Sequence, residues 1–162
     1  MLAMEDEIGQ RDCLVTFKGE EISEKPKFNS FKEIELAEIL QTNLEKMQFS
    51  KMTPIQKAVI SYIMNGNDVM GCAQTGSGKT VAFLLPMINK MLEEGPPDIS
   101  GNGILYFNFL GKRACSLPVT LILVPTRELA EQIFKEARKL ISRSGVNVVK
   151  VYGGVPHDSQ IR

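Results

Sequence analysis

The eight residues Ala73, Gln74, Thr75, Gly76, Ser77, Gly78, Lys79 and Thr80 constrain this chain more than any other stretch. They have the spacing of a P-loop, with alanine at the first position where glycine is commoner. The spacing has a physical cause. A loop that leaves a strand and closes around phosphate oxygens must turn tightly, and Gly76 and Gly78 permit backbone shapes that a side chain would block. Successive backbone N–H groups and the N-terminus of the next helix then point at the anion. Lys79 can reach the β- and γ-phosphates of a nucleoside triphosphate, and the Thr80 hydroxyl can ligate Mg2+. The bland alternative is a glycine-rich turn with an incidental lysine, which the strand-before, helix-after context disfavours. The pattern does not separate an ATPase from a GTPase or a nucleoside kinase. No Asn-Lys-x-Asp segment for reading guanine occurs, so base choice must be sought elsewhere.

The surrounding pattern supports an α/β class. Residues 68–72 form a short strand candidate entering the loop, and a helix from Lys79 to about Leu92 should leave it. Pro86 inside that helix should bend it or remove one backbone bond. Residues 119–124 read as a second strand between Pro118 and Pro125. A helix from Glu128 to about Ser142 follows, with Leu129, Ile133, Ala137, Leu140 and Ile141 on one face and Glu131, Lys135 and Glu136 mostly outside. Residues 146–152 make a third strand, closed by Gly153 and Gly154. Strands alternating with helices imply a parallel sheet with right-handed crossovers.

Upstream, Ser30-Phe31-Lys32-Glu33 reads as a capping box opening a helix with Leu36, Ile39, Leu40 and Leu44 on one face. Thr53-Pro54-Ile55-Gln56 is a stronger start: Thr53 as N-cap, Pro54 at the first position, Gln56 closing the box, and Asn65-Gly66 as the stop. Residues 1–27 are expected to be an extended or disordered extension, with one strand-like run at 13–17. Residues 95–118 read as an irregular loop.

Composition sets limits rather than a function. Lys plus Arg and Asp plus Glu each total 19, so no net field draws in a polyanion, and any RNA contact must come from local placement of donors. Three spaced cysteines, Cys13, Cys72 and Cys115, argue against a disulfide framework or zinc site and suit a reducing compartment. Cys72 is expected as a small buried residue, and His157 as a solvated side chain. No apolar run reaches about 18 residues, so a membrane span is not expected.

Several segments together resemble the DEAD-box RNA helicases. Phe49-Ser50-Lys51-Met52-Thr53-Pro54-Ile55-Gln56 resembles their adenine-recognising Q motif, residues 73–80 their motif I, Pro125-Thr126-Arg127-Glu128-Leu129-Ala130 their motif Ia, and Gly153-Gly154 their GG element. The likeness covers roughly residues 28–162 and is narrower still toward the Vasa-like group. It implies a RecA-like domain, here the N-terminal portion of the first one, with the C-terminal strands and second domain absent. It further implies that Gln56 hydrogen-bonds the adenine edge, that Phe31 stacks on the base, and that Phe49 and Lys51 belong to the same nucleotide site. ATP and Mg2+ would be the cofactors. Pro125, Thr126, Arg127, Gly153 and Gly154 would contact the RNA backbone without reading sequence. The bland alternatives are a helix cap for Gln56, an N-cap for Thr126 and a solvated charge for Arg127. The family usually has glycine where this chain has Gln48, a departure that touches none of the contacting side chains.

The family's Asp-Glu-Ala-Asp and Ser-Ala-Thr motifs do not occur, and no acidic pair directly follows a strand after Thr80. The chain is therefore expected to be a fragment of a helicase core or a truncated product. Alone it should bind ATP without hydrolysing it, and it should be marginally stable or aggregation-prone. Two alternatives stay open: an ATP- and RNA-binding module without hydrolysis, and an unrelated P-loop ATPase. The expected location is the cytoplasm, or the nucleus.

Overall fold

The computed structural model describes residues 16–17, 20–21, 28–95, 118–155 and 160. Cys13, Cys115, His157, the interior of the 95–118 loop and most of the 1–27 extension lie outside the described residues. Among the described residues there are four α-helices: α1 (Glu38–Lys46), α2 (Pro54–Met64), α3 (Lys79–Glu94) and α4 (Arg127–Leu140). A 3-10 turn at Phe31–Glu33 precedes them. Near the start, β1 (Thr16–Phe17) pairs antiparallel with β2 (Glu20–Glu21), Thr16 opposite Glu21 and Phe17 opposite Glu20.

The helices meet in one apolar core. Each contributes a fully buried aliphatic side chain: Leu40 from α1, Ile60 from α2, Leu85 from α3 and Leu140 from α4. Burying such a side chain stabilises by roughly 1.5–3 kcal/mol. α2 packs along α3, while α4 closes against α3 and α1.

α2 forms where its start and stop residues place it. Thr53 caps it with extended backbone, Pro54 occupies the first turn, and Asn65 with left-handed Gly66 (φ 78°) ends it. α3 starts after Gly78, continues through the buried Pro86, and runs to Glu94 before left-handed Gly95 (φ 72°) stops it.

The first expected helix is corrected. Ser30-Phe31-Lys32-Glu33 makes a single 3-10 turn rather than a helix start, and α1 begins only at Glu38. The Glu33 carboxylate folds back to accept from Asn29 N–H at 3.0 Å and from the Ser30 hydroxyl at 3.0 Å. These bonds, the Asn29 N–H foremost, hold its carboxyl below the usual range. The cause of the break lies 52 and 54 residues away in α3. Buried Asn89 accepts from Ala37 N–H at 2.8 Å and donates to the Glu35 carbonyl at 3.2 Å, so groups a continuous helix would use internally are committed elsewhere.

Of the expected parallel sheet, the described residues show the extended segments without their ladders. Residues 68–72, 119–124 and 146–152 are extended, yet none joins a ladder among the described residues, whose one sheet is the β1–β2 pair. Strand-like alternation survives. Ile122, Val124, Val146 and Val148 pack inward on the helices, while Leu121 (77% exposed), Leu123 (83%) and Val149 (80%) face out. Parallel sheets are stable when both faces are covered. Here the described helices cover one face of the extended segments and leave the other open. Cys72, expected to be buried, is exposed for the same reason.

Candidate functional site

Between the extended segment and α3 the P-loop residues curl around the Lys79 ammonium. Lys79 Nζ donates to the Ala73 carbonyl and, at 2.5 Å, to the Gln74 carbonyl. Gly76 and Gly78 both adopt left-handed backbone, with φ of 80° and 87°. The two are not equivalent. A Cβ on Gly76 would meet nothing within 4 Å, whereas one on Gly78 would lie 2.5 Å from Gln56 Nε2 and 3.0 Å from Thr53 Oγ1. Thr75 is exposed at the crest of the loop, and Thr80 follows Lys79 in the first turn of α3.

Gln56 joins the upstream segment to this loop. Its Oε1 accepts from Thr53 N–H at 2.9 Å, and its Nε2 donates to the Gly78 carbonyl at 3.2 Å. The helix-cap role is thus real, and the second bond extends it to the residue before Lys79. The reciprocal arm of the capping box is approached but not closed, because the Thr53 hydroxyl makes no hydrogen bond. Phe31 and Phe49 meet edge to face, with ring centroids 6.0 Å apart. Phe31 is buried in the core with Val81 and Leu84 of α3, so both its ring faces are covered, while Lys51 stands exposed.

The residues present suit the phosphates of a nucleotide. The Ser77 and Thr53 hydroxyls are buried without a partner, at a cost of about 1–3 kcal/mol each that a polar ligand group would relieve. They flank Gly78, beside a cationic side chain and the N-terminus of α3. Among the described residues no group of three or more His, Cys, Asp or Glu side chains could hold a metal ion. Among the described residues Thr80 is the candidate ligand for Mg2+.

The second cluster sits at the start of α4. Thr126 is the N-cap, its hydroxyl oxygen accepting from Leu129 N–H at 3.2 Å, and its own O–H remains available as a donor. Pro125, Arg127, Gly153 and Gly154 are exposed. Arg127 lies over the Tyr152 ring, 5.8 Å from its centroid, and against Gly154, where any Cβ would overlap its guanidinium. Gly154 is left-handed (φ 80°), and Gly153 has open space around it. So Arg127 brings together two segments that are separated in the chain.

Three residues of this cluster escape sequence reasoning: Glu131, Lys150 and Tyr152. Glu131 is ion-paired with Lys150 and accepts from the Tyr152 hydroxyl at 2.9 Å. The Lys150 hydrogen bond, then that of Tyr152, holds the Glu131 carboxyl below the usual range, and Glu131 in turn raises Lys150. No local spacing signals contacts across 19 and 21 residues.

Comparison with known proteins gives one answer. The DEAD/DEAH box helicase family model matches residues 53–162. The chain is 43% identical over 133 residues to "Probable ATP-dependent RNA helicase ddx3" of Dictyostelium discoideum, covering 82% of this chain and 18% of that protein. It resembles the crystal structure of the RNA-helicase Prp28 from Chaetomium thermophilum bound to ADP, with TM-score 0.65 and 34% identity over 82% of this chain and 29% of the other. It also resembles a DEAD box protein from Methanococcus jannaschii, with TM-score 0.63 and 28% identity over 82% of this chain and 31% of that one. The chain thus spans about a fifth of the curated relative's length. With the P-loop, the Gln56 bridge and the Arg127 cluster in this arrangement, and with that match over residues 53–162, the chain belongs to the DEAD/DEAH box helicase family.

Proposed function

We propose that this chain carries the ATP-binding site and part of the RNA-binding site of an ATP-dependent RNA helicase of the DEAD-box type, within its Vasa-like group. The extended segments are then strands of a RecA-like parallel sheet spanning residues 28–162, with residues 1–27 as an extension. The protein acts in the cytoplasm or nucleus. The observation that carries the proposal is the Gln56 bond to the Gly78 carbonyl, which places the candidate base-reading side chain one residue from the phosphate-binding lysine.

The chemistry of each residue follows from its atoms. A side-chain amide has two N–H donors and two acceptor lone pairs, and Gln56 uses one of each on the protein. The remaining donor and acceptor match adenine's N7 acceptor and N6 amino group and mismatch guanine, which presents two acceptors there. Gln56 is fully buried, so base access requires the surface over Thr53 and Gly78 to open. Lys79 would exchange its two carbonyl partners for phosphate oxygens, and the Thr80 hydroxyl would be the protein's ligand to Mg2+, which would supply charge neutralisation across the phosphates. Gln74, Thr75, Gly76 and Ser77 offer backbone N–H groups, and Ser77 adds its unpartnered hydroxyl. Phe49 and Lys51 border the base side, with Phe31 bracing Phe49 edge-on. On the other cluster, Thr126, Arg127 and the amides of Gly153 and Gly154 hold RNA phosphates, which fixes register without reading bases.

Within residues 1–162 no acidic pair follows an apolar extended segment, so this polypeptide itself is expected to bind ATP without turning it over. The test is nucleotide binding by calorimetry with a Lys79→Ala control. ATP binding lost by at least about a hundredfold in that variant, with GTP weak throughout, is the expected result. Equal affinity for ATP and GTP would remove the adenine assignment, and unchanged ATP affinity in the variant would remove the site.

A further inference from the structure

Arg127 and Glu131 lie four residues apart on α4, a spacing at which an arginine and a carboxylate can pair. They do not pair here. Among the described residues Arg127 makes no ion pair, and Glu131 is paired instead through its Oε1, which takes both the Lys150 ammonium and the Tyr152 hydroxyl. Lys150 is itself held over the Phe134 ring, 4.8 Å from its centroid, which fixes the ammonium beside Glu131. Arg127 instead rests on the Tyr152 ring and against Gly154, its guanidinium N–H groups uncommitted to any carboxylate.

We infer that the Lys150–Glu131–Tyr152 cluster is a positioning device that keeps Glu131 from capturing Arg127 and so leaves that guanidinium open to an RNA phosphate. The inference rests on the RNA-binding role proposed above for Arg127. Lys150 neutralises the carboxylate that stands one turn along α4 from Arg127. The Tyr152 hydroxyl takes the same carboxylate oxygen, and its ring serves as the platform beneath Arg127. One side chain thus links the occupied acid to the free base. When Lys150 is absent, Glu131 is an unpaired carboxylate one turn from Arg127 and competes with phosphate for it.

Fluorescence anisotropy of a labelled single-stranded oligouridylate at low salt tests this on the whole chain, with ATP affinity as the control for folding. Arg127→Ala should weaken RNA binding roughly tenfold or more, since it removes a charge-assisted contact. Lys150→Met should weaken it about two- to threefold, in line with the modest strength of an i,i+4 pair. Adding Glu131→Gln to Lys150→Met should return the affinity to that of the parent, because the glutamine cannot hold Arg127 as an ion pair. A direct Lys150–phosphate contact would leave the double variant as weak as Lys150→Met, and that result overturns the inference. Unchanged affinity in Lys150→Met overturns it also. Unchanged affinity in Arg127→Ala would instead overturn the RNA assignment beneath it.

Discussion

Residues 28–95 and residues 118–155 each present a candidate anion site, but they hold it by different means. In the first region the site is a matter of backbone shape. Two left-handed glycines, a helix N-terminus and the Gln56 bridge are set by turn and cap chemistry, and the buried residues of α2 and α3 back them directly. In the second region, side chains at a distance do the holding. Arg127 rests on Tyr152, Tyr152 on Glu131 and Glu131 on Lys150, over extended segments with Leu121, Leu123 and Val149 bare to solvent. The contrast teaches that a shape-built site depends on the backbone conformation of its glycines, whereas a network-built site depends on the side chains that hold its central arginine.

The sharpest way to break this contrast is at the paired glycines. Gly78→Ala combines left-handed strain with a clash against Gln56 and Thr53, so it should cost about 2–4 kcal/mol or abolish ATP binding outright. Gly76→Ala carries strain alone, about 1–2 kcal/mol, because its Cβ would stand in open space. Calorimetric ATP titration and thermal melts of both variants check this, and equal losses would show that the Gln56 contact matters little. In the second region, Gly154→Ala should weaken RNA binding roughly fivefold by displacing Arg127. Gly153→Ala, with nothing within 4 Å, should stay within about twofold. If both glycines serve only as bare phosphate contacts, the two variants will instead bind alike. The smallest effect is expected at Gln48, a non-glycine residue at φ 59°. Gln48→Gly relieves the left-handed backbone at some cost in unfolded-chain entropy, a net gain of about 0.5 kcal/mol readable as a slightly higher melting temperature. That position is where the family usually carries glycine, and the backbone angle supplies the reason.

Legibility in the sequence follows the same division. The start and stop residues of α2, the two glycine hinges and the Thr126 cap are local signals, and each forms within a few residues of where it is written. The first helix was misplaced because Asn89, a polar residue on the buried face of α3, claims the backbone at Glu35 and Ala37. An asparagine between Leu85 and Leu92 on an apolar stripe was a visible hint, though not of its partner. The order in which the extended segments pair is not legible, because alternating hydrophobicity marks a face rather than a neighbour, and ladder pairing is a long-range property. Phe31 was expected to offer a ring face but lies covered in the core. Glu131 read as a solvated charge because its partners are distant in the chain.

Asn43, buried in α1, donates through Nδ2 to the carbonyls of Leu140 at 2.7 Å and Ser142 at 2.8 Å, across 97 and 99 residues. Closing so long a segment demands its chain entropy before the bonds give anything back, whereas the α2–α3 contacts close far shorter segments. The order of assembly is thereby biased: the nucleotide side can gather first, and α4 docks last onto a surface already made. Under mild denaturant the same bias predicts that amides of α4 exchange with solvent before those of α2 and α3, and equal exchange across the three helices would refute it.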